Sequence, residues 1–225
     1  MKDEIKSSAK NVFNCLVFFV KIRKFIVNDI IFYASKKKKA KLRKKFNLDS
    51  KPQTFEYKRD VIRKYARDHS IKILIETGTY LGDMVWGTKD VFSHIYSIEL
   101  SDELYKKAEK RFSSFNHINI LKGDSGKVLP QILKRVNEPC IFWLDGHYSG
   151  GITVKGRKHT PILDELNHIL NHCINGHVII IDDARDYVGL NDYPTVDELR
   201  EIIYSKYPTW IFEIEGDMIR IYKPL

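Results

Sequence analysis

The sequence predicts an α/β protein: an open, mostly parallel sheet closed by a C-terminal antiparallel hairpin, behind an N-terminal helical extension. Three observations predict it. Short apolar runs alternate with amphipathic stretches between residues 71 and 206, the rhythm of strand–helix–strand crossovers. The first two runs each end in an acid, Glu76 and Glu99, and the first opens into a Gly78-x-x-x-Gly82 turn. Finally, Trp210 to Glu215 and Met218 to Tyr222 are two apolar runs joined by Gly216-Asp217, a hairpin signature.

Taken in order, residues 1–54 form a basic, amphipathic extension with a linker, and residues 55–225 form the α/β domain. The stretch 11–33 is rich in Val, Ile, Leu and Phe but broken by Lys21, Arg23, Lys24 and Asp29. It therefore lacks the uninterrupted span of about 20 apolar residues that crosses a bilayer. On a helix, Lys10, Asn14, Lys21, Lys24 and Asn28 share one side, opposite Phe13, Val17, Val20, Phe25 and Ile31. Lys36 to Lys39 and Lys41 to Lys45 follow. An amphipathic helix before a polybasic run reads as a peripheral anchor on an anionic membrane surface. The alternatives are packing on its own domain or on a second subunit as a homodimer, and, less well supported, contact with nucleic acid. Lys21-Ile-Arg-Lys24 breaks the apolar region that a cleaved signal peptide requires.

Residues 46–56 read as a linker and Tyr57 to His69 as a helix leading into the sheet. Strands are expected at 71–76, 94–99, 117–122, 140–145 and 177–182. Helices are expected near 83–91, 102–114, 126–136, 161–174 and 194–206.

Charge divides the chain the same way. Residues 1–69 carry 20 Lys and Arg against 7 Asp and Glu, whereas residues 70–225 carry 18 against 22. The basic character belongs to the extension, which argues against a duplex-binding face built into the domain. Cys15, Cys140 and Cys173 are odd in number and share no metal-type spacing, so a reducing, cytoplasmic setting is expected, at the inner face of the membrane if the anchor acts as one.

The acid-and-glycine loop places a nucleotide-type ligand across the carboxyl ends of the first two strands, with the second acid free to accept ribose hydroxyls. The spacing does not fit Gly-x-Gly-x-x-Gly, and no Lys-Ser/Thr follows as in a phosphate loop. In this, the loop resembles that of class I S-adenosylmethionine-dependent methyltransferases, whose cofactor has no phosphates. The resemblance implies a Rossmann-like sheet ending in an antiparallel hairpin. It also implies a cofactor site made of Glu76, Thr77, Gly78, Gly82, Glu99, Leu100, Asp124, Ser125 and Asp145. Glu76 would reach the amino-acid portion, Glu99 the ribose, and Asp124 and Ser125 the adenine edge.

A second constellation is Asp145-Gly146-His147 with Asp182-Asp183, acids at the ends of two buried strands bordering one cleft. Asp145, Asp182 and Asp183 could converge on one hard cation such as Mg²⁺, which would activate a substrate hydroxyl. Here the chain resembles the metal-dependent catechol and macrocin O-methyltransferase groups over roughly 70–187. It departs from the macrocin pattern Asp-Gly-Asp by carrying His147. That histidine is either the general base, a nitrogen ligand to the ion, or a loop residue bonded to its own turn. The polar stretch Tyr148 to Thr160 reads as a substrate loop, with Arg185 and Asp186 as weaker acceptor contacts. His168 and His172, with Glu165, read as a solvated stripe opposite Ile162, Leu163, Leu166, Ile169, Leu170 and Cys173.

The function expected is methylation of a hydroxyl on a sugar, polysaccharide or glycolipid intermediate, with a divalent ion assisting. A soluble small-molecule acceptor and a catalytically silent membrane-surface module are the alternatives. No Asn/Asp-Pro-Pro-aromatic motif for a flipped base is present.

Overall fold

The structure is a computed structural model that describes residues 35–48, 51–146 and 160–225. The chain divides into two compact units, Met1–Lys45 and Phe46–Leu225. In the first, the described residues 35–45 are helical (α1) and largely exposed. The amphipathic stretch expected at 11–33 lies outside the described residues. No helix among the described residues is long and apolar enough to cross a membrane.

The second unit begins with α2 (Phe55–Asp68), whose N-terminus is capped by the Thr54 hydroxyl accepting from the Tyr57 N–H at 3.2 Å. There follow β1 (Ile73–Thr77), α3 (Asp83–Thr88), β2 (His94–Glu99), α4 (Asp102–Phe112), β3 (Ile118–Lys122), α5 (Ser125–Leu133) and β4 (Cys140–Leu144). Then come α6 (Ile162–Leu170), β5 (Val178–Ile181), a short 3-10 turn (Ala184–Asp186), α7 (Val196–Lys206), β6 (Ile211–Glu215) and β7 (Met218–Tyr222). Each strand and helix expected from residue 57 onward is present, with ends shifted by a few residues. Helices start where a side chain caps them: Ser101 for α4, Asp124 for α5, and a reciprocal Thr195–Glu198 capping box for α7.

The sheet order is β3-β2-β1-β4-β5-β7-β6, with β1 to β5 parallel and β7 antiparallel to both neighbours. The order reverses direction between β1 and β4, the switch point where open α/β sheets open a crevice at their carboxyl ends. The register places Ile98, Thr77, Leu144 and Ile181 on one row. One step further, the Gly78 N–H donates to Ile98, the Asp145 N–H to Thr77 and the Asp182 N–H to Leu144. Glu99, Gly78, Asp145 and Asp182 therefore form the next row. Since side chains alternate along a strand, that row shares a face with Glu76, Ser97, Trp143 and Ile180 one pleat back. This face is covered by α2, α3 and α4 through a core that includes Ile62, Tyr65, Val85, Phe112, Leu74 and Trp143.

The C-terminal hairpin holds α2 in place. The Arg220 guanidinium donates to the Tyr57 hydroxyl at 3.3 Å, and the Tyr65 hydroxyl donates to Glu213 at 3.0 Å. Tyr57 also lies against the hairpin turn: a Cβ at Gly216 would stand 2.6 Å from its ring.

Candidate active site

Three carboxylates sit on the last row of the sheet because each follows a buried apolar strand. Glu99 ends β2, and both its oxygens hold the loops beside it: Oε2 accepts from the Tyr80 N–H and Oε1 from the Ser101 N–H, each at 2.8 Å. A carboxylate oxygen has a second acceptor direction, so ribose hydroxyls can still donate to this group. Leu100 is the next residue and half-buried.

Glu76 is 1% exposed. It accepts from the Ser97 hydroxyl, which in turn receives the Thr79 hydroxyl at 2.6 Å. Burial pushes its pKa up to about 8, the Ser97 bond opposes this, and the nearby Asp145 and Glu99 add to it. Glu76 is thus a neutral acid at pH 7, buried beneath the rim.

Both loop glycines are needed by close approaches within the chain itself. At Gly78 (φ +84°) a Cβ would lie 2.5 Å from the Asp145 carbonyl oxygen, so this glycine lets the β1 loop close onto the β4 loop. At Gly82 (φ +79°) it would lie 2.7 Å from the Phe112 ring.

Thr77, Asp124 and Ser125 are drawn into other contacts. Thr77 points to the opposite face of the sheet, towards Glu165 of α6. Asp124 caps α5, its Oδ1 accepting from the Gly126 N–H at 3.0 Å. The Ser125 hydroxyl lies close enough to Glu165 to favour its ionised form. Glu165 is buried, and that burial lifts its pKa to about 7 against the two hydroxyls. This corrects the expected solvated stripe. His168 is half-buried and bonds the Gly126 carbonyl at 2.9 Å, and His172 bonds both His177 (3.0 Å) and the Leu133 carbonyl (3.0 Å). Leu163 and Cys173, expected on the apolar face, are exposed. Thr160, expected in the substrate loop, is buried and accepts from the Ile162 N–H at the start of α6. His147 and the rest of that loop, 147–159, lie outside the described residues.

At the β4–β5 end the structure brings Asp145, Asp182 and Asp183 close enough for the first and third to raise the pKa of the second, after burial, which raises it most. These residues do not fit an open seat for a divalent ion. Asp182 Oδ2 is ion-paired with the Lys58 ammonium from α2, and both groups are nearly fully buried. Asp183, in the left-handed region (φ 54°), is paired with Arg185 at 2.8 Å. Arg185 is in turn held by Asp217 of the hairpin turn. A unit charge and a divalent ion about 4 Å apart repel by roughly 8 kcal/mol at a protein-like dielectric. No group of three or more His, Cys, Asp or Glu among the described residues is arranged to hold a metal. Of the three residues expected to hold Mg²⁺, Asp182 and Asp183 are paired with side-chain cations of this chain, Lys58 and Arg185. Asp186, expected near the acceptor, closes the 3-10 turn through its N–H to the Asp183 carbonyl at 2.8 Å.

Sequence reasoning missed Lys58 and set Glu165 on a solvated face. Both had a signal. Lys58 continues the buried stripe Val61, Ile62, Tyr65 at helical spacing, and Glu165 interrupts the stripe Ile162, Leu166, Ile169.

No protein-family model and no curated protein matches this chain. Solved structures do. The chain is similar to the O-methyltransferase TomG from Streptomyces achromogenes, involved in tomaymycin synthesis and solved with S-adenosylmethionine: TM-score 0.56, 15% identity, covering 84% of this chain and 89% of that one. It is similar to an O-methyltransferase from Bacillus cereus in complex with S-adenosylhomocysteine: TM-score 0.55, 15% identity, 83% and 90% covered. The Podospora anserina methyltransferase PaMTH1, bound to S-adenosylhomocysteine, gives a TM-score of 0.54 at 14% identity, with 77% and 80% covered. The chain has the fold of the class I S-adenosylmethionine-dependent methyltransferases.

Proposed function

We propose that the chain is an S-adenosylmethionine-dependent O-methyltransferase. The observation that carries this is the acid rim at the switch point, where Glu99 and Glu76 flank a glycine loop closed onto Asp145. The residues fit the cofactor: Glu99 keeps acceptor capacity for two ribose hydroxyls, and Glu76 offers a buried carboxyl to the amino-acid end. When bound, the cofactor supplies an electrophilic methyl on a sulfonium. The chain's own part is to bind it, to place an acceptor oxygen in line with the methyl, and to exclude water. The acceptor proton must leave to a nearby base, and the Asp145–Asp182 carboxylates border that position. Solved relatives of the same fold that are named O-methyltransferases support an oxygen acceptor.

The acceptor we infer is a sugar hydroxyl of a polysaccharide or glycolipid intermediate. The basic, exposed α1 supports it, since eight of residues 36–45 are Lys or Arg and such a segment favours an anionic membrane surface. Calorimetric titration with S-adenosylmethionine tests the cofactor reading. Glu99→Ala should weaken binding by about 1.5–3 kcal/mol, the value of a hydrogen bond to a charged group, and unchanged affinity in a folded variant would refute the ribose assignment. Acceptor screening by release of S-adenosylhomocysteine, with and without chelator, tests the rest.

A further inference from the structure

We propose that Lys58 is a resident cation of the acceptor end of the cleft, paired with Asp182 in place of the divalent ion that the repulsion from Asp145 and Asp183 would otherwise call for. The proposal rests on the methyltransferase reading only in calling this end the acceptor's. The cation seat itself is read from geometry.

Four observations carry it. Asp182, Asp145 and Asp183 are mutually repelling acids on adjoining strand ends, and such a cluster demands a cation. Lys58 supplies one, paired with Asp182 Oδ2 while only 8% exposed. A lysine is rarely buried unless it is paired, and this one is also held over the Trp143 ring at 5.8 Å and the Phe55 ring at 5.7 Å. Its helix is fixed by the neighbouring Tyr57, which packs on the hairpin turn and meets Arg220. The fourth observation is the other oxygen: Asp182 Oδ1 is buried with no hydrogen-bond partner among the described residues. An orphan carboxylate oxygen next to a pinned ammonium is a seat for a donor, and an acceptor hydroxyl is one.

The choice of cation has a chemical consequence. A divalent ion takes several oxygens at once and so favours acceptors with two adjacent chelating oxygens. An ammonium offers separate, single hydrogen bonds. The site therefore suits a single alcohol hydroxyl, whereas a chelating diol such as a catechol needs the ion that Lys58 displaces.

The test is titration of the full chain with Mn²⁺, followed by electron paramagnetic resonance. Wild type should show no stoichiometric Mn²⁺ binding. Lys58→Met keeps the aliphatic packing against Phe55 and Trp143 but removes the charge. It should gain Mn²⁺ affinity by about tenfold or more, the least expected when a neighbouring positive charge is removed. Lys58→Arg should gain none, and adding Asp182→Asn to Lys58→Met should abolish the gain. Stoichiometric binding by wild type that is lost in Asp182→Asn would overturn the proposal, because the ion would then displace the lysine. So would a folded Lys58→Met that gains nothing. The wild-type arm needs no variant to fold. Binding of S-adenosylmethionine, measured separately, reports whether the methyltransferase reading itself holds.

Discussion

At the scale of single residues, burial has set the chemistry more than neighbouring charge has. Glu76 is a carboxyl whose pKa has been pushed to about 8, chiefly by desolvation. A cationic ligand placed against it will ionise it, so cofactor binding at pH 7 should release up to one proton. Calorimetry in buffers of different ionisation enthalpy checks this, and Glu76→Gln should abolish the buffer dependence. Gly78 makes a second prediction. A side chain there meets the Asp145 carbonyl at 2.5 Å in a left-handed conformation. Gly78→Ala should therefore cost about 2–5 kcal/mol of stability, combining left-handed strain with overpacking, as read by urea unfolding. These positions show what was legible. The acids and glycines stood out because they punctuate apolar runs. The reason for the glycines did not, because the partner at Gly78 comes from a strand more than 60 residues away.

At the scale of elements, the order and type of every strand and helix from β1 onward was readable from period and punctuation. What could not be read was how elements are pinned to one another through polar groups. The joint between β4, β5, α5 and α6 is an example. The Cys140 N–H donates to His177 Nδ1 at 3.0 Å, so His177 carries its hydrogen on Nε2 and donates to His172 Nδ1. His172 then donates from Nε2 to the Leu133 carbonyl. The His177 ring is neutral in this chain of bonds. Burial holds the His177 pKa down at about 4. A proton on His177 would face the Cys140 N–H, so the unfolded chain binds protons that the folded one refuses. Stability should be complete above pH 6.5 and fall by about 3 kcal/mol on acidification towards pH 4. His177→Gln should flatten that slope in denaturation curves taken across this range. A sequence shows His172 and His177 five apart. It does not show that their rings bond each other, or that a β-strand amide on the far side of His177 fixes the tautomer.

At the scale of the whole molecule, the two units carry different charge. Removing residues 1–45 should leave S-adenosylmethionine affinity unchanged while abolishing co-sedimentation with anionic vesicles. Equal vesicle binding by both forms would remove the membrane reading, and a change from dimer to monomer on gel filtration would replace it with a subunit interface. The fold was legible because alternation and the C-terminal hairpin are strong local patterns. The site was legible only in half. The cofactor side is written as contiguous motifs, whereas the β4–β5 side depends on Lys58 and Asp217, which reach Asp182 and Arg185 only after the chain has folded back across itself.

That return path orders events during protein synthesis. The turn at Gly216-Asp217 seats Tyr57 beside Lys58 and clamps Arg185, yet in chain order it follows every other helix and strand described except β7. A nascent chain that has already emerged through β5 holds Asp145, Asp182 and Asp183 together without either fixed cation, and can complete them only when translation reaches the hairpin. Growing chains stalled before residue 211 should thus stay open to protease at α2, and those extended past residue 222 should close in a single late step.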